Sequence, residues 1–255
     1  MKNKFSIFLL AAFLMANVFI SCSSGVKSRE LLFRNNDFAA YSIKRENISL
    51  KSESRLPKSF SHPVEISEQK ILDLLGNLKY KSESSYGNLN LYIFEEDEIK
   101  EFAVDLADAL QKVKPSEILL VISKFNPLKS VVSHYVRTGF YIWSTENTIE
   151  IVFGEIQKEL AFDEQGNYFD WSRIPEISFD NTADSNFVIA NSSFAFKQVE
   201  GFKNRRWIVF NKADLNRVKF EKRKNPSKDL KKTIDSDMTP EKRVERDEDD
   251  AILQE

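Results

Sequence analysis

Apolar positions along this chain follow three patterns, and each predicts a different element. From Phe5 to Ile20 they form one uncharged run behind Lys2 and Lys4, and Ser21-Cys22-Ser23-Ser24-Gly25 follows. A charged start, an apolar stretch too short to span a bilayer and small residues at its end predict an export signal. Later they recur every three or four residues, which is helical spacing. Ser67 reads as an N-cap before Ile71, Leu72, Leu74, Leu75 and Leu78, with Gly76-Asn77 ending that helix. Ile99, Phe102, Ala103, Leu106, Ala109, Leu110 and Val113 predict a second helix over 97–113. Glu95-Glu96-Asp97-Glu98 precede it and Lys112 and Lys114 close it, matching the helix dipole at both ends, and Pro115 stops it.

Strand patterns take over after Pro115. Ile118-Leu119-Leu120-Val121-Ile122 is apolar on both faces and predicts a central strand. Gly139–Ser144 and Thr148–Phe153 predict a hairpin around Glu146-Asn147, and Leu160–Asp163 with Tyr168–Trp171 a second around Glu164-Gln165-Gly166-Asn167. Phe187–Ala190, Phe194–Val199 and Trp207–Phe210 read as further short strands. Nearer the start, Leu31, Leu32, Phe33, Ala39, Tyr41 and Ile43 read as strand around an Asn35-Asn36-Asp37 turn. Ser82–Asn90 reads as a polar turn leading to Leu91-Tyr92-Ile93-Phe94. The predicted class is α+β: two early helices packed on a mainly antiparallel β-sheet.

After Asn211 the pattern fails. Residues 212–255 hold 24 charged side chains in 44 positions. Arg217–Lys232 carries eight bases against two acids, and Asp235–Glu255 nine acids against three bases. Such a stretch buries too little surface to offset its ordering entropy, so a disordered charged tail is expected over 213–255.

Cys22 is the only cysteine. With Ser21 in the small position before it and Phe19 three residues before it, the site resembles the lipobox of bacterial lipoproteins, in the looser form of spirochaetes. That resemblance implies a signal peptide at 1–21, acylation of Cys22, a lipidated tether at 22–30 and an outer-membrane location. One domain, 31–212, then remains ahead of the tail. His62-Pro63-Val64, the 97–113 helix, Ile151-Val152-Phe153-Gly154-Glu155 and Arg206-Trp207-Ile208-Val209-Phe210 resemble a group of bacterial envelope lipoproteins across much of 60–212. No activity comes with that resemblance.

Charge and composition narrow the classes further. Without 1–21 the chain carries 35 bases against 39 acids, a net of −4 that gives no reason to bind nucleic acid. With Cys22 acylated no disulfide forms, and 17 phenylalanines past residue 21 supply a self-sufficient core.

Candidate chemistry is sparse. His62 and His134 are the only histidines, and zinc-type spacing and glycine-rich phosphate loops are missing from the sequence. No metal, cofactor or catalytic residue is expected. Glu95–Glu98 read as dipole partners, Glu101, Asp105 and Asp108 as a solvated helix face, and Asp180–Asn186 as a polar turn rather than a calcium loop. Tyr168, Phe169 and Trp171 read as strand burial. The basic residues Arg217, Lys219, Lys222, Arg223, Lys224, Lys228, Lys231 and Lys232 are the candidate contact with an anionic surface.

The function expected is therefore a non-catalytic interaction or scaffold protein. Its partners would be the membrane, through the anchor, and envelope proteins, host proteins or anionic cell-wall polymers. The alternative is a hydrolase or small-ligand carrier built on the antiparallel sheet.

Overall fold

Residues 118–122 are apolar without alternation because both faces of their strand are covered. The computed structural model describes residues 29–48, 53–84, 87–126, 135–161, 177–180, 186–221 and 223. β1 (Arg29–Arg34) and β2 (Phe38–Lys44) form a hairpin whose turn is closed by the Asn35 side chain, which accepts from the Asp37 and Phe38 amides at 2.9 and 2.7 Å. A segment over 53–66 then crosses one face of the sheet. α1 (Glu68–Leu75) starts where Ser67 Oγ accepts from the Lys70 amide at 3.3 Å. A second hairpin, β3 (Lys79–Ser84) with β4 (Gly87–Tyr92), leads into α2 (Glu96–Lys112).

The chain returns through β5 (Glu117–Phe125), β6 (Val136–Ser144) and β7 (Thr148–Glu159). After β8 (Phe187–Val188) it closes with the hairpin of β9 (Ala195–Val199) and β10 (Phe202–Asn211). Glu200 and Gly201 join that hairpin with φ of 53° and 85°, the two positive values that a tight two-residue turn between twisted strands requires.

The large sheet has the order β1-β2-β5-β6-β7-β10-β9 and every pairing in it is antiparallel. A small sheet has the order β4-β3-β8. On one face of the large sheet, Phe38, Leu119, Val121, Phe140 and Phe153 pack against the buried sides of α1 and α2. Tyr41, Leu120, Tyr141, Trp143 and Trp207 make the other face, closed by Leu56, Phe60, Ile177 and Phe179. Two apolar layers on one sheet give β5 its unbroken apolar run.

Two expectations are corrected. Ser82–Asn90 is no polar turn, because most of it pairs in the β3–β4 hairpin. Tyr80 and Leu89 point inward at alternating positions, and that short apolar face is enough to bind a strand pair to the core. The domain also does not end at 212. Lys212–Arg217 is a 3-10 turn, Val218 is buried, Phe220 packs on the core and Arg223 is buried. This strap is stitched to the α1 region mainly by side chains that meet its backbone. Lys70 donates to Leu215 O at 2.9 Å, Asp73 accepts from the Phe220 amide at 3.0 Å, and Asn77 donates to Lys219 O at 2.7 Å. A charged sequence conceals such packing, since Leu215, Val218 and Phe220 are isolated apolar positions among charges. The signal, Cys22, His134, the hairpin expected over 160–171 past Ala161 and the tail beyond Arg223 lie outside the described residues.

Candidate functional site

Lys81, Asn90, Phe187, Val188, Ile189, Ala190, Phe196, Lys203 and Arg205 line an open groove of about 590 Å³. Its walls come from two sheets. Lys81 and Asn90 face each other as a pair on β3 and β4, and Lys81 also pairs with Phe187 on β8. Opposite them stand Phe196 on β9 and Lys203 and Arg205 on β10. Asn90, Lys81 and Phe187 lie side by side across β4, β3 and β8, so one wall is a face of the small sheet, and the outermost strands β8 and β9 both contribute to the groove.

Local structure explains how the cations reach it. The register of β10 against β9 breaks between Lys203 and Ile208. Within the break, buried Asn204 donates to Phe179 O at 3.1 Å and Arg206 Nε to Asn186 O at 2.9 Å. These neighbours are tied inward, while Arg205 stays exposed, its guanidinium 4.6 Å from the Phe187 ring centroid. Among the described residues no carboxylate lines the groove, and Lys81, Lys203 and Arg205 enter no ion pair. Three unopposed cations beside two phenylalanines can hold an anionic group with an apolar neighbour.

Other polar groups are buried and point elsewhere. Ser123 Oγ donates to Glu98 Oε1 at 2.6 Å, and the Glu95 amide to Glu98 Oε2 at 3.0 Å. Burial pushes the Glu98 carboxyl up to about 7, although those donors pull the other way. Ser123 and Glu98 are both buried and lie outside the groove, so the pair closes the start of α2 against β5. On the second face, Glu150 accepts from Trp207 Nε1 at 2.8 Å and meets Lys197 Nζ at 3.4 Å. His62 is buried near Phe60 with neither ring nitrogen hydrogen-bonded, and burial, with Lys212 nearby, pulls it down to about 4. It is a neutral core ring.

Among the described residues, those singled out in sequence do not gather into one site. Arg217 pairs with Asp214 at 3.0 Å, and Lys219 Nζ lies 3.7 Å from Asp73. Arg223 is withdrawn from any surface contact: its Nη2 donates to Gly76 O at 2.7 Å and Phe94 O at 2.8 Å. Burial lowers its guanidinium from its ordinary value, which starts so high that the group stays charged. Lys222, Lys224, Lys228, Lys231 and Lys232 lie outside the described residues, as does Cys22. Asp180 pairs with Arg55, and among the described residues no cluster of three metal-ligating side chains forms. Lys81, Asn90, Lys203 and Arg205 escaped the sequence reading. The one signal was alternation, as in Lys79-Tyr80-Lys81, where an inward aromatic separates two outward bases.

No family model matches the chain, and neither a curated protein nor a solved structure matches it.

Proposed function

We propose that this chain is an exported lipoprotein, anchored through acylated Cys22 to the outer membrane, whose domain binds an extended acidic segment of a partner protein without catalysis. Support for the anchor comes from the N-terminal sequence alone. More than one acyl chain on Cys22 would hold the domain stably, and the short tether would keep it close to the membrane. In this reading the two early helices form the supporting layer behind the antiparallel sheet.

The observation that carries the binding role is that the outermost strands β8 and β9 both line the groove, with Lys81, Lys203 and Arg205 unopposed by acid. An extended peptide can add to a sheet edge through its backbone while its side chains enter flanking pockets. A wall polymer would satisfy the cations but would leave the strand edges and the phenylalanines unused. An acidic peptide uses all three.

The test is binding of a fluorescent peptide of four glutamates followed by two leucines to the full chain at low salt. Lys81→Glu/Lys203→Glu/Arg205→Glu is expected to bind at least about tenfold more weakly with an unchanged melting point, the scale of losing charge-assisted contacts. Equal binding by the two proteins overturns the assignment. For the anchor, Cys22→Ala is expected to lose metabolically incorporated palmitate, and full retention of the label refutes it.

A further inference from the structure

Resting on that reading of the groove, we infer that its resting occupant is the chain's own segment Asp247–Leu253, so that the protein masks its binding site in cis.

Three observations converge. The first is chemical complementarity. Asp247-Glu248-Asp249-Asp250 is followed by Ala251-Ile252-Leu253, four acids and then an apolar stretch. The groove offers the matching pair of surfaces: three cations without acids, beside Phe187 and Phe196.

The second is where the chain leaves the fold. Arg223 is fixed over the Tyr92 ring, and Tyr92 stands two residues from Asn90 on the same side of β4. At about 3.3 Å per residue, the ring that holds the Arg223 guanidinium stands about 7 Å along the strand from Asn90 on the groove wall.

The third is reach. Asp247 lies 24 residues past Arg223, and a coil of that length has a root-mean-square span of roughly 25–30 Å. The span exceeds the distance to be covered without diluting the segment far. Short tethers give effective concentrations on the order of millimolar, so weak cis docking is enough to fill the groove. A partner then has to displace the segment. Its apparent affinity falls by the ratio of that effective concentration to the dissociation constant of cis docking.

The competing site for these acids is the basic block that precedes them. Zero-length carbodiimide cross-linking separates the two. Equal amounts of ¹⁴N- and ¹⁵N-labelled full-length protein are mixed at low salt, cross-linked and analysed by mass spectrometry. Links from Lys81 or Lys203 to the carboxylates of 247–250, within one isotope, are the expected result. Links only to Lys224–Lys232 overturn the inference, and so do links only between isotopes, which would mean exchange between copies.

A second arm uses a fluorescent peptide copying 247–253. The full chain with Asp247→Asn/Glu248→Gln/Asp249→Asn/Asp250→Asn is expected to bind it about tenfold or more tightly than the parent chain. This gap should narrow as salt shortens the screening length toward about 8 Å. Equal binding by parent and variant overturns cis masking while the groove reading stands. No binding by either overturns both.

Discussion

The guanidinium carbon of Arg223 lies 3.4 Å from the centroid of the Tyr92 ring. Tyr92 ends β4, and Lys79 Nζ lies 4.7 Å from the same centroid, so two cations share one aromatic ring. The Arg223 fork also holds the carbonyls of Gly76 and Phe94, at the end of α1 and just before α2. One side chain therefore joins the strap to both helices' ends and to the small sheet.

Arg223→Ala is expected to cost about 2–4 kcal/mol, because it removes the stacking and leaves two buried carbonyls without their donor. Arg223→Lys should recover less than half of that, since an ammonium cannot span both carbonyls while lying flat on a ring. Urea unfolding measures both. An unchanged midpoint in Arg223→Ala would place the strap outside the cooperative unit.

Gly76→Ala tests the same strap from the other side. Gly76 has an ordinary helical φ of −66°, so a methyl would carry no backbone strain. A Cβ there would clash with the Phe220 ring and with the Leu72 carbonyl oxygen. The strap supplies the closer of the two clashes, and a loss of about 1–3 kcal/mol is expected. In a Phe220→Ala background the loss should shrink, and a double-mutant cycle with no coupling would contradict the docking of Phe220 on Gly76.

Glu98 and His62 tilt the pH dependence in opposite directions. Glu98 titrates near 7 in the folded chain and near 4.3 unfolded. The folded state binds the extra proton between those values, so the Glu98 contribution is complete below about 4.3 and is lost as pH rises through 7. His62 titrates near 4 folded and near 6.5 unfolded, so its contribution is complete above about 6.5 and is lost as pH falls toward 4. Glu98→Gln removes the first slope only. The variant should gain on the parent as pH rises from 5 to 7, by at most about 1.4 kcal/mol per pH unit. Parallel stability curves would mean that Glu98 is ionised in the fold throughout.

Leu106 is fully buried between Phe102 and Leu110 on the face of α2 that meets the sheet. Leu106→Ala should cost about 2–5 kcal/mol in chemical denaturation, the range for emptying a packed leucine site. A loss below about 0.5 kcal/mol would mean that this face is not core.

The sequence alone determined what depends on near neighbours. Helical spacing at Phe102, Leu106 and Leu110, the unbroken Ile118–Ile122 run and the turn at Glu146-Asn147 each state their structure within a few residues, because periodicity and turn chemistry are local. Tertiary structure decided the rest. Whether Ser82–Asn90 was loop or strand depended on whether Tyr80 and Leu89 found a core to enter. Arg223 and Lys224 are equivalent as charges in a basic run, yet Arg223 is buried, because Gly76, Phe94 and Tyr92 meet it from far along the chain. Lys81 and Lys203 share a groove only because strands of two different sheets are brought together. A cation's role follows from what lies opposite it in space, and no window of sequence contains that.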